Sequence, residues 1–294
     1  MSDDRTDRPL ERRVPAEWIE KLDELAAARV VLVIGATEAG KTTFTAWLAN
    51  ELRARGRSVA IVDADVGQSE IGPPATVGLG AVRGPLTRSA DAEVVALEFV
   101  GVTSPGRRPW QVAEAAGRLA AKARPRFDRI IVDTSGFVAG GFAAAVKQRK
   151  IAAVDPDLVV LIQNGDESEH LVRGVGAAGR PHVLRVPAVR GGRPRSPDAR
   201  KRHRATALAR YFADARAVRF DALHVALRTV TGAPVALDVL AEGTLVALQD
   251  AKTSTLALGV IDTIDPRGAT LTVRTMHTGD GVAAIVIGET TLAG

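Results

Sequence analysis

The chain has 294 residues and no cysteine, which excludes a disulfide framework and any metal site built on thiolates. None of its five histidines stands at metal-ligand spacing from another, so the histidines carry no chemistry in this reading. No apolar run approaches the roughly 18 residues that a membrane span requires, so no membrane partner is expected. Met1 to Arg13 is charged and holds no apolar segment of signal-peptide type; a cytoplasmic location is the expectation. Two methionines, no cysteine and abundant alanine and arginine suit a heat-adapted protein, although GC-rich coding gives the same bias.

Among the features present, the most specific is Val31-Leu-Val-Ile-Gly35-Ala-Thr37-Glu38-Ala39-Gly40-Lys41-Thr42-Thr43. An apolar strand runs into G-x-x-x-x-G-K-T, and a helix-forming run from Phe44 to Arg55 follows at once. The glycines allow backbone conformations that turn successive N–H groups toward phosphate oxygens, and the following helix adds the positive end of its dipole. Lys41 in this pattern reaches the β- and γ-phosphates, while the Thr42 hydroxyl ligates Mg²⁺. The protein is therefore expected to bind a nucleoside triphosphate.

The chain can bury a sizeable core, either as one large domain or as a main domain with an appendage. Residues 1–28 read as a charged lead followed by a helix, Pro15 to Ala28, with Trp18, Leu22 and Leu25 at helical spacing. Residues 29–215 alternate apolar runs with helical patterns. The runs are Val30–Ile34, Ser58–Val62, Val94–Val100, Arg129–Val132, Leu158–Ile162 and His182–Val186. Most are continuous, as strands buried on both faces should be. The pattern predicts an α/β P-loop fold, a mostly parallel sheet flanked by helices, with ligands at the carboxyl ends of the strands. From 216 to 294 the runs Leu223–Val230, Thr244–Leu248, Leu256–Ile261, Thr270–Thr275 and Val282–Ile287 are separated by turn residues, which predicts a small β-rich domain.

Charge is unevenly placed. Residues 216–294 hold six basic and eight acidic residues, whereas Arg173 to Arg210 holds eleven basic residues and one acidic residue, Asp198. Such a block near a nucleotide site points to a polyanionic partner; on charge alone a solvated basic face is as good a reading.

Two further strands end in carboxylates. Ala60-Ile-Val-Asp63-Ala-Asp65-Val-Gly67-Gln68 is expected to lie beside the first strand, where one of the two carboxylates can organise Mg²⁺ and the other, pointing to the other side of the chain, can accept the proton of an attacking hydroxyl. The bland alternative is a strand-terminal turn or helix cap. Ile130-Ile-Val-Asp133 adds another candidate for the metal's hydration shell. Two acidic strand ends beside one phosphate loop fit phosphoryl transfer to a bound acceptor better than simple hydrolysis.

These segments, with Ile71-Gly72-Pro73-Pro74 trailing the second, resemble the polynucleotide 5′-hydroxyl kinases related to the RNA kinase of eukaryotic pre-mRNA cleavage and tRNA splicing. Three more segments agree in order. Thr103-Ser104-Pro105-Gly106 is similar to the family's clasp on the acceptor phosphate. Asp133-Thr-Ser-Gly136-Phe137-Val-x-Gly140-Gly141 is similar to its D-T-x-G-W-V-x-G-x-G segment. Arg195-Ser-x-Asp-x-Arg200-x-x-x-Arg204 is similar to its arginine lid. The resemblance spans roughly residues 30–215, and the β-rich tail looks like the C-terminal domain of microbial members.

What the resemblance implies is an ATP- and Mg²⁺-dependent kinase of RNA or DNA 5′-hydroxyl ends, with GTP as donor left open. Gly35, Thr37, Glu38, Ala39, Gly40, Lys41, Thr42, Thr43 and Arg195 would hold the nucleotide, and Thr42, Asp63 and Asp133 the metal. Asp65 would be the base, with Lys41, Arg200 and Arg204 neutralising the transferring phosphoryl group. Gln68, Thr103, Ser104 and Phe137 would hold the acceptor. Phe137 stands where many members carry a tryptophan that stacks on a terminal base, and Gly106-Arg107-Arg108 stands where eukaryotic members carry an asparagine. The N-terminal β domain of eukaryotic members is expected to be replaced here by one short helix. Other classes remain open on the sequence: a nucleotide-bound scaffold of a nucleic-acid-processing complex, or a P-loop kinase of a small acceptor.

Overall fold

The computed structural model describes residues 14–177, 179–189 and 196–292. The charged lead through Arg13 and the lid's first arginine, Arg195, lie outside the described residues.

The first sheet has seven strands: β1 (Val30–Gly35), β2 (Val59–Ala64), β3 (Thr76–Ala81), β4 (Glu93–Phe99), β5 (Arg129–Thr134), β6 (Leu158–Ile162) and β7 (His182–Val186). Their spatial order is β4-β3-β2-β5-β1-β6-β7. β2, β5, β1, β6 and β7 run parallel, and β3 and β4 are antiparallel additions at one edge. Every residue of β1, β2 and β6 is buried. Their apolar runs are continuous because both faces are covered.

One face is covered by α4 (Pro109–Ala123) and α5 (Gly140–Val154), which pack on Val30, Leu32 and Ile34. The other is covered by α1 (Ala16–Glu20), α2 (Leu22–Ala27) and α3 (Lys41–Ala54), around Val31 and Val33. On that side Trp18 meets Phe44 edge to face at 4.9 Å, and Trp47 closes the group.

Three expectations need correction. The second strand does not lie beside the first, because β5 is inserted between β1 and β2. Asp63 and Asp133 are therefore register partners on neighbouring strands, and Asp133 is the one next to the phosphate loop. The N-terminal helix is two short helices broken at Lys21, whose φ and ψ of −93° and 3° leave the helical region. β3 escapes a sequence reading because Gly78 and Gly80 carry no side chain to show the strand's alternation.

The second sheet comprises β8 (Arg216–Asp221), β9 (Ala226–Thr229), β10 (Thr244–Gln249), β11 (Thr255–Asp265), β12 (Thr270–Thr275) and β13 (Ala284–Thr291), in the order β8-β12-β11-β10-β13-β9. β8 is a strand that the turn pattern does not reveal, since Arg216, Arg219 and Asp221 interrupt its apolar residues. Residues of β10 alternate faces as a strand's period of two requires. Leu245 and Ala247 pack with Ala75 and Phe99 of the first unit, and Val246 and Leu248 face Phe220, Ile261 and Leu271.

This second unit also anchors α6 (Pro197–Tyr211), the helix that carries Arg200 and Arg204. Ser196 caps α6 by accepting from the Ala199 N–H at 3.2 Å, and Pro197 occupies its first turn. At its other end Leu208 joins the core beside Leu258 and Val286, and the Tyr211 hydroxyl accepts from the Leu258 N–H at 3.0 Å. Among the described residues, no helix is long and apolar enough to cross a membrane.

Candidate active site

The carboxyl ends of β1, β2 and β5 open into a cleft of about 200 Å³ lined by Thr37, Glu38, Gly40, Lys41, Thr42, Thr43, Asp63, Asp65, Gln68 and Asp133. Gly40, at φ +93°, is the N-cap of α3. The loop before it therefore turns its amides toward the cleft at the positive end of a 14-residue helix. Gly35 and Ala39 contribute backbone and packing rather than cleft surface; Ala39 is buried in the core beside β1 and β6. The Lys41 ammonium donates to the Ala36 carbonyl at 2.7 Å. Burial lowers its pKa, and the carboxylates of Asp133, Asp65 and Glu38 oppose that shift.

Asp133 and Asp63 differ in what occupies their oxygens. The Thr42 hydroxyl donates to Asp133 Oδ2 at 3.1 Å, while Asp133 Oδ1 is buried without a hydrogen-bond partner. That unpaired oxygen sits next to the lone pairs of a hydroxyl whose proton is already committed, a hard oxygen pair of the kind Mg²⁺ takes alongside phosphates and waters. Burial pushes the Asp133 carboxyl up to about 6. Asp63 is engaged on both oxygens. Its Oδ1 accepts from Asp65 N–H at 3.0 Å, and its Oδ2 accepts from Glu70 N–H at 2.6 Å, Ile71 N–H at 3.0 Å and the Ser69 hydroxyl at 3.3 Å. Burial, then the charge of Asp133, pushes the Asp63 carboxyl up to about 7. The backbone from 65 to 71 is thus wrapped around the Asp63 carboxylate.

That wrapping presents Asp65. Its Oδ1 accepts from Gly67 N–H at 3.1 Å and Gln68 N–H at 3.2 Å, which orients the carboxylate at the mouth of the cleft. A second cleft continues from there, lined by Asp65, Gln68, Thr103, Ser104, Phe137, Arg200 and Arg204. Asp65 and Gln68 border both clefts. Close backbone contacts hold the two together. A Cβ on Gly67 would lie 2.8 Å from the Thr103 carbonyl, and one on Gly136 would lie 2.6 Å from both Cα and N of Thr37. Only glycine permits either approach.

The structure thus brings every predicted site residue within the described part of the chain to one end of the first sheet. Among its described residues, the basic block from Arg173 to Arg210 divides between ion pairs and the second cleft. Arg180 pairs with Asp157, and Arg185 with Glu169 at 2.7 Å, whereas Arg200 and Arg204 line the second cleft. Arg107 and Arg108, which depart from the family's pattern, both engage Glu289 of β13, Arg107 at 3.0 Å. The second sheet therefore braces the segment after Thr103–Gly106 as well as α6.

Sequence reasoning missed two buried lysines of α5. Lys147 donates to the Thr134 hydroxyl at 3.0 Å and the Ser135 carbonyl at 2.5 Å, and Lys150 donates to the Ala64 carbonyl at 3.4 Å. Both lie beneath the acidic strand ends. Burial depresses both, and pushes Lys150 down to about 8 against the attraction of Asp65, Asp133 and Asp63. Their signal was the pair Lys147 and Lys150, one helical turn apart and flanked on both sides by apolar residues, Ala143–Val146 and Ile151–Val154.

Residues 35–214 match the family model for the mRNA cleavage and polyadenylation factor CLP1 P-loop. The chain is 34% identical over 217 residues to a polyribonucleotide 5′-hydroxyl-kinase of Thermococcus kodakarensis, covering 73% of this chain and 61% of that protein. It is 33% identical over 213 residues to one from Pyrococcus horikoshii, covering 72% and 57%. The Clp1 polyribonucleotide 5′-hydroxyl-kinase of Xenopus tropicalis is 28% identical over 196 residues, covering 62% and 43%. The chain therefore spans less than two thirds of the length of the curated relatives it matches. Among solved structures, a Clp1p–Pcf11p complex superposes with a TM-score of 0.74 at 13% identity, over 94% of this chain and 79% of that one. At that identity the likeness is one of fold.

Proposed function

The chain belongs to the CLP1 P-loop family, and from that premise we propose that it is an ATP- and Mg²⁺-dependent polynucleotide 5′-hydroxyl kinase, acting on RNA or DNA ends. The observation that carries this reading is the joining of two clefts at Asp65 and Gln68. One is lined by the phosphate loop, the other by the clasp, Phe137 and the lid arginines. A hydrolase needs only the first.

In this reading the loop amides, Lys41 and Thr43 hold the donor triphosphate, and Lys41 exchanges its bond to Ala36 for phosphate oxygens. Thr42 and Asp133 would hold Mg²⁺, which when bound would supply charge neutralisation at the phosphates. Asp63 acts one step removed, shaping the turn that carries Asp65. The acceptor's 5′-hydroxyl lies at Asp65, which takes its proton as the new O–P bond forms. The bond from the γ-phosphorus to the β–γ bridging oxygen breaks, and the nucleoside diphosphate leaves. Arg200, Arg204 and Arg195 close over the transferring group, where fixed positive charge is worth most. Thr103 and Ser104 grip the acceptor phosphate, Gln68 positions the acceptor end, and Phe137 stacks on its base.

Residues 29–215 form the kinase unit in this division, residues 1–28 a lead, and residues 216–294 a bracing unit for lid and clasp. The reading places the protein in the cytoplasm.

The test is transfer of labelled γ-phosphate from ATP, with GTP in parallel, to short 5′-hydroxyl RNA and DNA oligonucleotides. Label should appear on the 5′ end only with a divalent cation. It should vanish in Lys41→Ala and fall at least 100-fold in Asp65→Asn with nucleotide affinity retained. Tight nucleotide retention without any transfer would refute the kinase and favour a nucleotide-bound scaffold. Undiminished transfer by Asp65→Asn would refute Asp65 as the base.

A further inference from the structure

Three aromatic rings form a row, and the proposed acceptor site uses only one end of it. Phe137 lines the second cleft. Its ring centroid lies 6.0 Å from that of Phe142, which lies 6.4 Å from that of Trp110, each pair meeting edge to face. Trp110 stands in the first turn of α4, directly after the clasp, and Phe142 in the first turn of α5, directly after the Gly136–Phe137 segment. The two rings therefore meet only because α4 and α5 pack side by side.

Core packing does not account for them. Phe142 is 51% exposed and Trp110 42%, whereas Trp18 and Trp47 are buried at 0% and 2%. The ground around Phe142 is open: Ala139, Gly140, Gly141 and Ala145 are exposed, and a Cβ on either glycine would meet nothing within 4 Å. The carboxylates near the start of α4 are held by cations, Glu114 by Arg149 at 3.2 Å and Glu289 by Arg107 and Arg108. Two exposed, mutually touching aromatics thus continue an anion-binding cleft without opposing negative charge.

We propose that Phe142 and Trp110 extend the acceptor site as a stacking surface for the second and third bases of a single-stranded polynucleotide. The inference rests on the kinase reading for its direction along the strand. Every base presents a π-face, so such a surface adds affinity without reading sequence. Paired bases hide their faces in the duplex stack, so the surface selects unpaired ends. Edge-to-face rings offer faces in different directions, which suits bases splayed from one another rather than a continuous helical stack.

Trp110 is itself the reporter, being the exposed one of three tryptophans. Unlabelled 5′-hydroxyl RNA and DNA oligonucleotides of one to four residues are titrated against the full chain while tryptophan emission is followed. The same series is then used as kinase acceptors. Quenching is expected to strengthen up to three residues and to disappear in Trp110→Phe. The ratio of kcat/KM for the tetramer over the monomer should fall about ten-fold in Trp110→Ala and in Phe142→Ala, equivalent to about 1.4 kcal/mol per stacked base. An abasic residue at the second or third position should reproduce that fall in the unaltered protein.

An unchanged ratio in both variants, with transfer intact, would overturn the stacking surface and leave the kinase reading standing. Length-dependent, abasic-sensitive quenching without any transfer would do the reverse. Absence of quenching by every oligonucleotide, RNA and DNA alike, would also overturn the proposal and reassign the exposed pair to a protein-facing surface.

Discussion

Asp133 is buried at the end of β5 with one oxygen on the Thr42 hydroxyl and the other without a protein partner, and burial pushes its carboxyl up to about 6. Because the folded-state value lies above the ordinary 3.8, the fold favours the protonated form. That favourable contribution is complete below about pH 4 and is lost as pH rises through about 6. By pH 8 the ionised carboxylate has forfeited roughly 3 kcal/mol relative to acid, at about 1.4 kcal/mol per pH unit. Asp133→Asn removes the titration and relieves Asp63, whose carboxyl is pushed up to about 7 first by burial and then by the charge of Asp133. It also removes the attraction to Lys41, which sets roughly 3 kcal/mol as the upper bound of the gain. Urea unfolding of the nucleotide-free protein in chelator should therefore show the variant more stable than the parent by about 1–3 kcal/mol at pH 8, with the gap closing toward pH 4. The same variant should lose at least 100-fold in phosphoryl transfer and its response to added Mg²⁺. A variant less stable than the parent at pH 8, or a gap independent of pH, would refute the argument that the carboxylate is kept for the metal at the fold's expense.

Lys150→Met should shift the acidic limb of the kcat profile toward higher pH, by up to about one unit, because the lysine's charge favours ionisation of Asp133 and Asp63. Nucleotide affinity should be unchanged, and an unmoved limb would exclude this lysine from tuning the site. Gly136→Ala should weaken nucleotide binding at least ten-fold and lower stability by roughly 1–3 kcal/mol, since its methyl group would stand 2.6 Å from Thr37 backbone atoms and displace the phosphate loop. Isothermal titration and thermal melting read both effects, and unaltered nucleotide affinity would show that the loop does not depend on this contact.

Local features are legible in the sequence. The strand, loop and helix around Lys41 are contiguous, and backbone conformation at Gly40 with the apolar run of β1 specifies them within some twenty residues. The acidic ends of β2 and β5 are legible in the same way, because continuous apolar runs terminated by carboxylates announce buried parallel strands. What the residues do not announce is the order of the strands. Whether β2 or β5 lies beside β1 depends on which crossover helices pack on which face, and no short stretch encodes that choice. The same dependence decides which carboxylate meets Thr42, and it leaves Asp63 to shape a turn.

Chemistry by residue type is thus written along the chain, since a phosphate loop, a clasp and a lid each carry their own spacing. Their relation in space is decided only by tertiary packing. The second sheet takes Leu208 and Tyr211 into its core and draws Arg107 and Arg108 onto Glu289, which brings α6 and the Thr103–Ser104 segment to one cleft. Trp110 and Phe142, 32 residues apart in the chain, meet for the same reason. Burial of apolar surface is non-directional and long in sequence reach, so it assembles neighbours that local conformational preference cannot foretell.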